Sequence, residues 1–276
     1  MLPDYLIIGA ARCGTTYIAQ VLRSHPEVFM ARQKELHFFE RDYDKGMAFY
    51  ETYFPSDAGR YKVIGEATPA YLYFPEVPER IHRHLPDAKL IVSLRNPIDA
   101  AYSAYWKAYS ADERTRRMSF EQKLEQEPRL IAGGRYAEQI ERYLTLFPRD
   151  RIHVIVYEQL VAEPEAEFRR LFRFLGVAED FVSPYMAQRI NASGMKNGRS
   201  RLLRYAHRLF FRYIEVPSIA GWIERINFLP IPPMAPATRQ RLQREFSRAN
   251  AELERLTGLD LSAWARDGRS AVSDGR

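Results

Sequence analysis

Residues 6–26 read LIIGAARCGTTYIAQVLRSHP, and this segment is the clearest indication of the fold class. A short apolar run is followed by a glycine-containing turn and then by apolar residues at helical spacing as far as His25. The turn has the glycine spacing of a phosphate-binding P-loop, G-x-x-x-x-G-K-[ST], and lies between a strand and a helix as that motif requires. Thr15 stands where the motif has its lysine, and Thr16 stands where it has its final hydroxyl residue.

The rest of the chain alternates between apolar runs that read as strands and amphipathic segments that read as helices. Beyond the first strand at 5–10, strands are predicted at 27–30, 62–66, 88–95 and 151–158, and helices at 96–109, 134–147, 164–175 and 237–256. This alternation predicts an α/β fold with a P-loop-like, doubly wound parallel sheet flanked by helices. We expect one domain over 1–276, with an irregular acceptor-side cap region at about 195–235.

Length, charge and cysteine content indicate which partners and which cellular compartment to expect. The chain has 276 residues, enough for a sizeable core, and a net charge of +6. No nucleic-acid recognition motif accompanies that charge, so we expect no nucleic-acid partner. The single cysteine, Cys13, favours a reducing compartment. Without a signal peptide or an apolar run of about 18 residues, we expect a cytoplasmic protein with no membrane span, and no feature predicts an oligomeric state.

The missing lysine changes what the loop can bind. In a P-loop the lysine contacts the β- and γ-phosphates, and the final hydroxyl holds magnesium. Without that lysine, the loop amides and the helix N-terminus suit a smaller anion, such as a 5′-phosphate carrying one more anionic group. Arg12 supplies a positive charge from within the loop. The alternative is an ordinary strand–turn–helix with chance glycines.

A second candidate anion site lies in VSLRNPIDAAYSAYW, residues 92–106. Arg95 is at the carboxyl end of a predicted central strand, where open α/β sheets bind ligands. Ser103 follows about two turns into the next helix. An arginine and a hydroxyl near a helix start suit a phosphate, although a capped helix with a salt-bridged arginine explains the pattern equally well.

A third segment, KELHFFE at 34–40, carries candidates for proton transfer. Glu35 or His37 can act as a general base, with Lys34 beside them. The alternative is that the charged residues belong to the surface and the two phenylalanines to the core.

Together the three segments resemble the sulfotransferases that use 3′-phosphoadenosine 5′-phosphosulfate (PAPS), in particular a soluble, bacterial-like form of the heparan-type sulfotransferase domain. GAARCGTT is similar to the family's 5′-phosphosulfate loop, RNPIDAAYS to its 3′-phosphate motif, and KELHFFE to the catalytic segment of the heparan-type enzymes. Later blocks, among them GEATPAYL, VYEQL and LTGLDLSAW, extend the resemblance over nearly the whole chain.

The resemblance implies PAPS as donor co-substrate, no metal, and the following binding roles. The 5′-phosphate is bound by Gly14, Thr15 and Thr16, with Cys13 as a small structural residue of the loop. A thiol at a helix start tends to have a lowered pKa. Alkylation of Cys13 is expected to block donor binding by the bulk of the added group alone.

The 3′-phosphate is bound by Arg95 and Ser103, and Arg199 of KNGRSR closes over it. Arg12 lies by the bridging oxygen of the phosphosulfate, where many members of the family have lysine. Glu35 takes the acceptor proton, and His37 is the other candidate because other branches of the family use a histidine base.

The sequence departs from the heparan-type pattern at Ala67, where those enzymes typically have a lysine that Lys34 would replace here. The acceptor is expected to be a hydroxyl of a carbohydrate, a glycolipid or a natural product. Two other functions stay open: a kinase-like nucleotide enzyme, which Thr15 speaks against, and a non-catalytic module that binds a nucleotide or a glycan.

Overall fold

The computed structural model describes residues 1–56, 59–186, 194–195 and 229–265. Within these ranges five strands form one parallel sheet in the order β2-β3-β1-β4-β5. The strands are β1 (Tyr5–Gly9), β2 (Val28–Met30), β3 (Val63–Ala67), β4 (Lys89–Leu94) and β5 (Ile152–Val156). Two further short strands, β6 (Gly194–Met195) and β7 (Leu229–Pro230), pair antiparallel.

Helices connect the strands and cover both faces of the sheet. They are α1 (Thr15–Ser24), α2 (Met47–Glu51), α3 (Val77–His84), α4 (Pro97–Ala111), α5 (Glu113–Arg116), α6 (Phe120–Gln126), α7 (Arg129–Ala132), α8 (Tyr136–Leu144), α9 (Tyr157–Ala162), α10 (Pro164–Leu175), α11 (Pro236–Thr257) and α12 (Ser262–Ala265). A π-helical turn at Phe38–Asp42 and 3-10 turns at Tyr43–Lys45 and Arg149–Arg151 complete the described helical structure.

The two faces of the sheet belong to two separate hydrophobic clusters because successive side chains of a strand point to opposite faces. Along β1, Leu6 and Ile8 pack in one cluster, whereas Tyr5 and Ile7 pack in the other. All four side chains are buried. A central strand buried on both faces reads as a continuous apolar run, which is why its periodicity alone does not separate it from a helix.

The predicted fold class is confirmed: the sheet is parallel, doubly wound and flanked by helices. The predicted cap of α4 is present, since the Asn96 side chain accepts a hydrogen bond from the Ile98 N–H at 3.0 Å and Pro97 opens the helix. The single-domain organisation stays a prediction. None of the helices in the described ranges combines the length and apolar character that a transmembrane segment needs.

Candidate active site

The turn after β1 is attached to the neighbouring strand β4. The Ala10 N–H donates to the Ser93 carbonyl at 2.7 Å, and the Ser93 hydroxyl donates to the Cys13 carbonyl at 2.5 Å. Ser93 has no exposed surface, so its hydroxyl needs a partner inside the protein and finds it in the loop. Ser93 is not among the predicted site residues, although a lone serine in the apolar run LIVSL is the signal that identifies it.

The loop ends at Gly14, which has a left-handed φ of 80°. A Cβ at this position would lie 2.7 Å from the Tyr157 ring, so only glycine fits both the conformation and the space. Helix α1 begins at the next residue without a side-chain cap. The first amides of a helix have no intrahelical partner, which makes this helix start suitable for an anion. Thr16 is exposed there, whereas Thr15 is buried.

Arg12 connects the loop to helix α4. Its Nε and Nη2 atoms donate to the Ser103 hydroxyl oxygen at 3.1 and 3.0 Å. Partial desolvation and the nearby charge of Arg95 lower the pKa of Arg12. Two cations this close repel each other, and an anion between them removes that repulsion. The structure thus brings together Arg12, Ser103 and Arg95, which the sequence places in separate motifs.

The corner that carries Arg95 is braced by three residues from later in the chain. The Arg95 guanidinium lies 5.0 Å from the centre of the Tyr157 ring. The Glu158 carboxylate accepts from the Asn96 N–H at 2.9 Å and from the Trp264 indole N–H at 3.0 Å. These bracing residues were not predicted individually, because their sequence blocks carry no chemistry that distinguishes them from core packing.

The side chain of Cys13 packs in the hydrophobic core. Its side chain has no exposed surface and lies 3.6 Å from the Tyr136 hydroxyl. Burial raises the pKa of the Cys13 thiol to about 12, so the lowered pKa expected at a helix start is wrong. The Cys13 side chain therefore cannot contact a ligand of the loop, and only its main chain is available for such a contact.

Glu35 and His37 lie at the surface of the segment before the π-helical turn. Glu35 Oε1 accepts from Lys34 Nζ at 2.7 Å, and Glu35 Oε2 lies 3.8 Å from His37 Nε2, too far for a hydrogen bond. Partial burial raises the pKa of Glu35. The hydrogen bond from Lys34 and the charges of Lys34, Lys107 and His37 together lower it by more, so the net pKa lies below the usual value for a glutamate. Glu35 is therefore a carboxylate at neutral pH.

Glu40 is a member of this group that the sequence did not reveal. Its carboxylate hydrogen-bonds to His37 Nδ1, and its side chain is only 5% exposed. The other Glu40 oxygen is buried and has no hydrogen-bond partner in the described structure. Glu35, His37 and Glu40 thus form a line from the surface into the protein. The i, i+3 spacing of His37 and Glu40 was the available signal.

The backbone of this segment is strained. Glu35 and His37 have φ values of 62° and 57°, in the left-handed region that costs about 1–3 kcal/mol for residues other than glycine. The residue between them, Leu36, and the residue after them, Phe38, are buried. The conformation therefore presents the two titratable side chains on one side and the two apolar side chains on the other.

The base segment also lies near the donor loop. The Glu35 charge acts on Arg12 and raises its pKa slightly against the larger lowering effects. The predicted base and the predicted loop cation therefore lie within electrostatic range of each other. Ala67, where the heparan-type pattern has lysine, is buried, and the lysines that act on Glu35 in the described structure are Lys34 and Lys107. Arg199 lies outside the described residues, so its predicted role stays a prediction.

The parallel sheet and its glycine-ended loop define a P-loop-like α/β protein. A family profile described as "Sulfotransferase domain" matches residues 2–209. The chain therefore belongs to the sulfotransferase family, which confirms the family resemblance found in its motifs.

Curated relatives of this chain carry heparan sulfate names. It is 35% identical over 181 residues to "Heparan sulfate glucosamine 3-O-sulfotransferase 6" of Mus musculus, covering 63% of this chain and 52% of that protein. It is 29% identical over 273 residues to "Heparan sulfate glucosamine 3-O-sulfotransferase 5" of Homo sapiens, covering 95% and 74%. The chain thus spans about half the length of the first of these relatives.

Solved structures agree with the fold. The crystal structure of a sulfotransferase from Alicyclobacillus acidocaldarius matches with a TM-score of 0.73 at 29% identity, covering 96% of this chain and all of that one. A mouse sulfotransferase, SULT7A1, complexed with PAP, matches with a TM-score of 0.56 at 15% identity, covering 93% and 87%. At that identity the second likeness shows the fold alone.

Proposed function

We propose that this protein transfers the sulfuryl group of PAPS to a hydroxyl group of a carbohydrate acceptor, without a metal. The observation that carries the proposal is the meeting of Arg12, Ser103 and Arg95 at the carboxyl ends of β1 and β4, with Glu35 close enough to act on Arg12. A ligand with two separated anionic ends and a reacting group beside one of them fits this arrangement.

The donor has a 5′-phosphosulfate and a 3′-phosphate, and the site offers a place for each. The loop amides, the start of α1 and Arg12 face the first group, and Thr16 adds an exposed hydroxyl. Arg95 and Ser103 face the second. The bond between Arg12 and Ser103 supports this assignment, because it places the two anion sites within one arginine side chain of each other.

In the reaction the acceptor oxygen attacks sulfur in line, and the bond from sulfur to the 5′-phosphate oxygen breaks. 3′-Phosphoadenosine 5′-phosphate (PAP) leaves with the electron pair, and Glu35 takes the acceptor proton. Arg12 stabilises the charge that develops on the leaving oxygen. A general base of this kind contributes on the order of 100- to 10,000-fold in rate.

The geometry favours Glu35 over His37 as the base. The Glu35 side chain is 41% exposed and keeps its charge, so a carboxylate is available at the surface. His37 is already engaged through Nδ1 with Glu40, and its Nε2 faces Glu35. His37 therefore lies beside the base without a hydrogen bond to it, and its charge helps to lower the pKa of Glu35.

The choice of a carbohydrate acceptor is supported by the relatives, whose names specify a glucosamine of heparan sulfate. It is also supported by the cations beside the base. Lys34 and Lys107 both act on Glu35, which suits an acceptor that carries negative charge next to its reacting hydroxyl.

The donor assignment is tested by calorimetric titration of PAP into the protein without magnesium. We expect Arg95→Ala to weaken PAP binding about 10- to 100-fold, since a charge-assisted hydrogen bond contributes about 1.5–3 kcal/mol. Arg83→Ala, which removes an exposed arginine paired with Glu79, is the matched control and leaves affinity unchanged. If the wild type does not bind PAP, the proposal is wrong, and magnesium-dependent ATP binding would favour the kinase-like alternative.

Transfer is tested with radiolabelled PAPS and heparan sulfate, beside a panel of small alcohols and phenols. Glu35→Gln is expected to lower kcat on the order of 100- to 10,000-fold while PAP affinity is retained. Full activity in this variant would contradict the role of Glu35. PAP binding without transfer to any acceptor would favour the non-catalytic module.

A further inference from the structure

Behind the base segment lies a buried hydrogen-bond network that takes no part in the proposed chemistry. At its centre is Glu66 of β3, which has no exposed surface. Its carboxylate accepts from the Thr68 hydroxyl at 2.7 Å and from the Tyr50 hydroxyl at 3.1 Å. The Tyr71 hydroxyl also stabilises the charged form of Glu66. One buried carboxyl thus organises three hydroxyl groups.

Two hydrogen bonds donated by backbone N–H groups connect this network to the base segment. The Glu35 N–H donates to the Ala67 carbonyl at 2.8 Å, and Ala67 lies between Glu66 and Thr68 in the chain. The Phe38 N–H donates to the Tyr71 hydroxyl at 3.2 Å. The two bonds anchor both ends of the strained stretch that contains Glu35 and His37.

We propose that Glu66 is a positioning residue for sulfuryl transfer: by holding Thr68 and Tyr71, it fixes the backbone of residues 35–38 and so aims the Glu35 carboxylate. The inference rests on the proposed function, because it concerns the orientation of the base assigned there. Left-handed backbone at two residues other than glycine persists only where the surroundings enforce it. The anchors from β3 and Tyr71 supply that enforcement.

Stability alone does not explain a carboxyl at this place. A buried charge is costly, and neutral groups of similar shape often stabilise a core more than a charged one. Desolvation raises the pKa of Glu66 to about 7 in spite of its three hydroxyl partners. The ionisable groups that act on or interact with it are Glu40, Tyr5, Tyr50 and Tyr71. What the carboxylate provides is the ability to accept from several hydroxyls at once.

The test is Glu66→Gln in the full chain. An amide has one acceptor oxygen and its NH₂ can only donate, so one of the hydroxyls that now donate to Glu66 must turn to accept, which loosens the hold on Thr68 or Tyr71. We expect hydrogen exchange of the amides in residues 35–38 to accelerate at least tenfold. We expect kcat for transfer to heparan sulfate, or to water without an acceptor, to fall 10- to 100-fold, with PAP affinity within twofold of wild type.

Glu167→Gln is the matched control. It is the same substitution at another buried glutamate with a raised pKa, on α10, and it should change neither exchange in residues 35–38 nor kcat. Tyr71→Phe removes only the hydroxyl that accepts from the Phe38 N–H. This variant replaces Glu66→Gln in the same measurements if Glu66→Gln does not fold. Its expected loss of kcat is about three- to tenfold.

Unchanged exchange and unchanged kcat in Glu66→Gln would overturn the proposal. So would a fall in PAP affinity equal to the fall in kcat, which would mark a general loss of structure. A wild-type protein that binds no PAP and consumes no donor would contradict the proposed function instead, and the exchange rates of residues 35–38 would still decide whether Glu66 holds this segment.

Discussion

At the scale of single residues, the state of Glu35 depends on its neighbours. Lys34 donates a 2.7 Å hydrogen bond to one of its oxygens, and Lys107 adds a second positive charge. Partial burial opposes them, but the net pKa lies below the usual value. A carboxylate that stays charged is ready to accept a proton at neutral pH, although each cation that lowers its pKa also makes it a weaker base.

Lys34→Met is expected to move the acid limb of the kcat profile to higher pH. The substitution removes a hydrogen bond and a charge that lower the pKa of Glu35, so the base becomes protonated at a higher pH and activity is lost sooner on acidification. The measurement is kcat for sulfuryl transfer across the acidic range. Lys45→Met, at an exposed lysine paired with Asp42, is the control and should leave the limb in place. An unmoved limb in Lys34→Met would contradict the role given to Lys34.

At the scale of elements, the junction between β1 and α1 depends on one glycine. Gly14→Ala adds both a strained left-handed residue and a methyl group 2.7 Å from the Tyr157 ring. We expect PAP affinity to fall more than tenfold and the melting temperature to drop. Gly258→Ala separates the two effects, because Gly258 is also left-handed, with φ 70° and ψ 14°, and has nothing within 4 Å of its added Cβ.

The Gly258 variant should lose only the conformational contribution, about 1–2 kcal/mol of unfolding free energy, and keep its PAP affinity. Equal losses of PAP affinity in the two variants would show that the contact with Tyr157 is unimportant. Calorimetry and thermal unfolding of both proteins make the comparison.

Most strands and helices could be predicted because the local sequence pattern of each segment favours the same secondary structure that its tertiary environment requires. The apolar run at 88–95 became β4, and the Asn96–Pro97 start of α4 was readable from capping chemistry. The predicted strand 151–158 is too long, since helix α9 begins at Tyr157. The sequence VIVYE contains no helix start signal, and its apolar character continues into residues that the fold places in a helix.

Motif spacing could predict the turn between β1 and α1 and the position of Arg95 after β4, whereas it could not predict the residues that support them. Ser93 and Glu66 are polar residues inside strands, and their partners come from distant segments. Glu40 lies close in sequence to His37, but only its burial distinguishes it from an ordinary surface acid. Local sequence patterns suggest candidate functional residues. The residues that support them are identified only by their tertiary contacts.

At the scale of the whole molecule, Glu66 makes the free energy of unfolding depend on pH. Its pKa is raised from 4.5 to about 7 on folding, so the folded protein binds this proton more tightly than the unfolded chain does. Stability from this group is therefore fully present below pH 4.5 and is lost as pH rises through about 7. The loss amounts to at most about 3 kcal/mol, at 1.36 kcal/mol per pKa unit.

Urea unfolding at pH 5 and pH 8 checks this expectation. Glu66→Gln should gain stability relative to wild type as pH rises between these values, because it lacks the titrating group. Glu252→Gln should not show this gain, since a hydrogen bond from Arg255 lowers the pKa of Glu252. A pH-independent difference between wild type and Glu66→Gln would contradict the expectation.

The brace between Trp264 and Glu158 has a consequence for how the protein is made. The turn after β1 leaves the ribosome long before the Trp264 indole, which braces the Arg95 corner through Glu158. Chains grow at about 5–20 residues per second, so many seconds separate the synthesis of the loop from the synthesis of Trp264. A nascent chain halted shortly before Trp264 would contain the loop after β1 and Arg95 but would lack the indole hydrogen bond to Glu158 that braces the Arg95 corner.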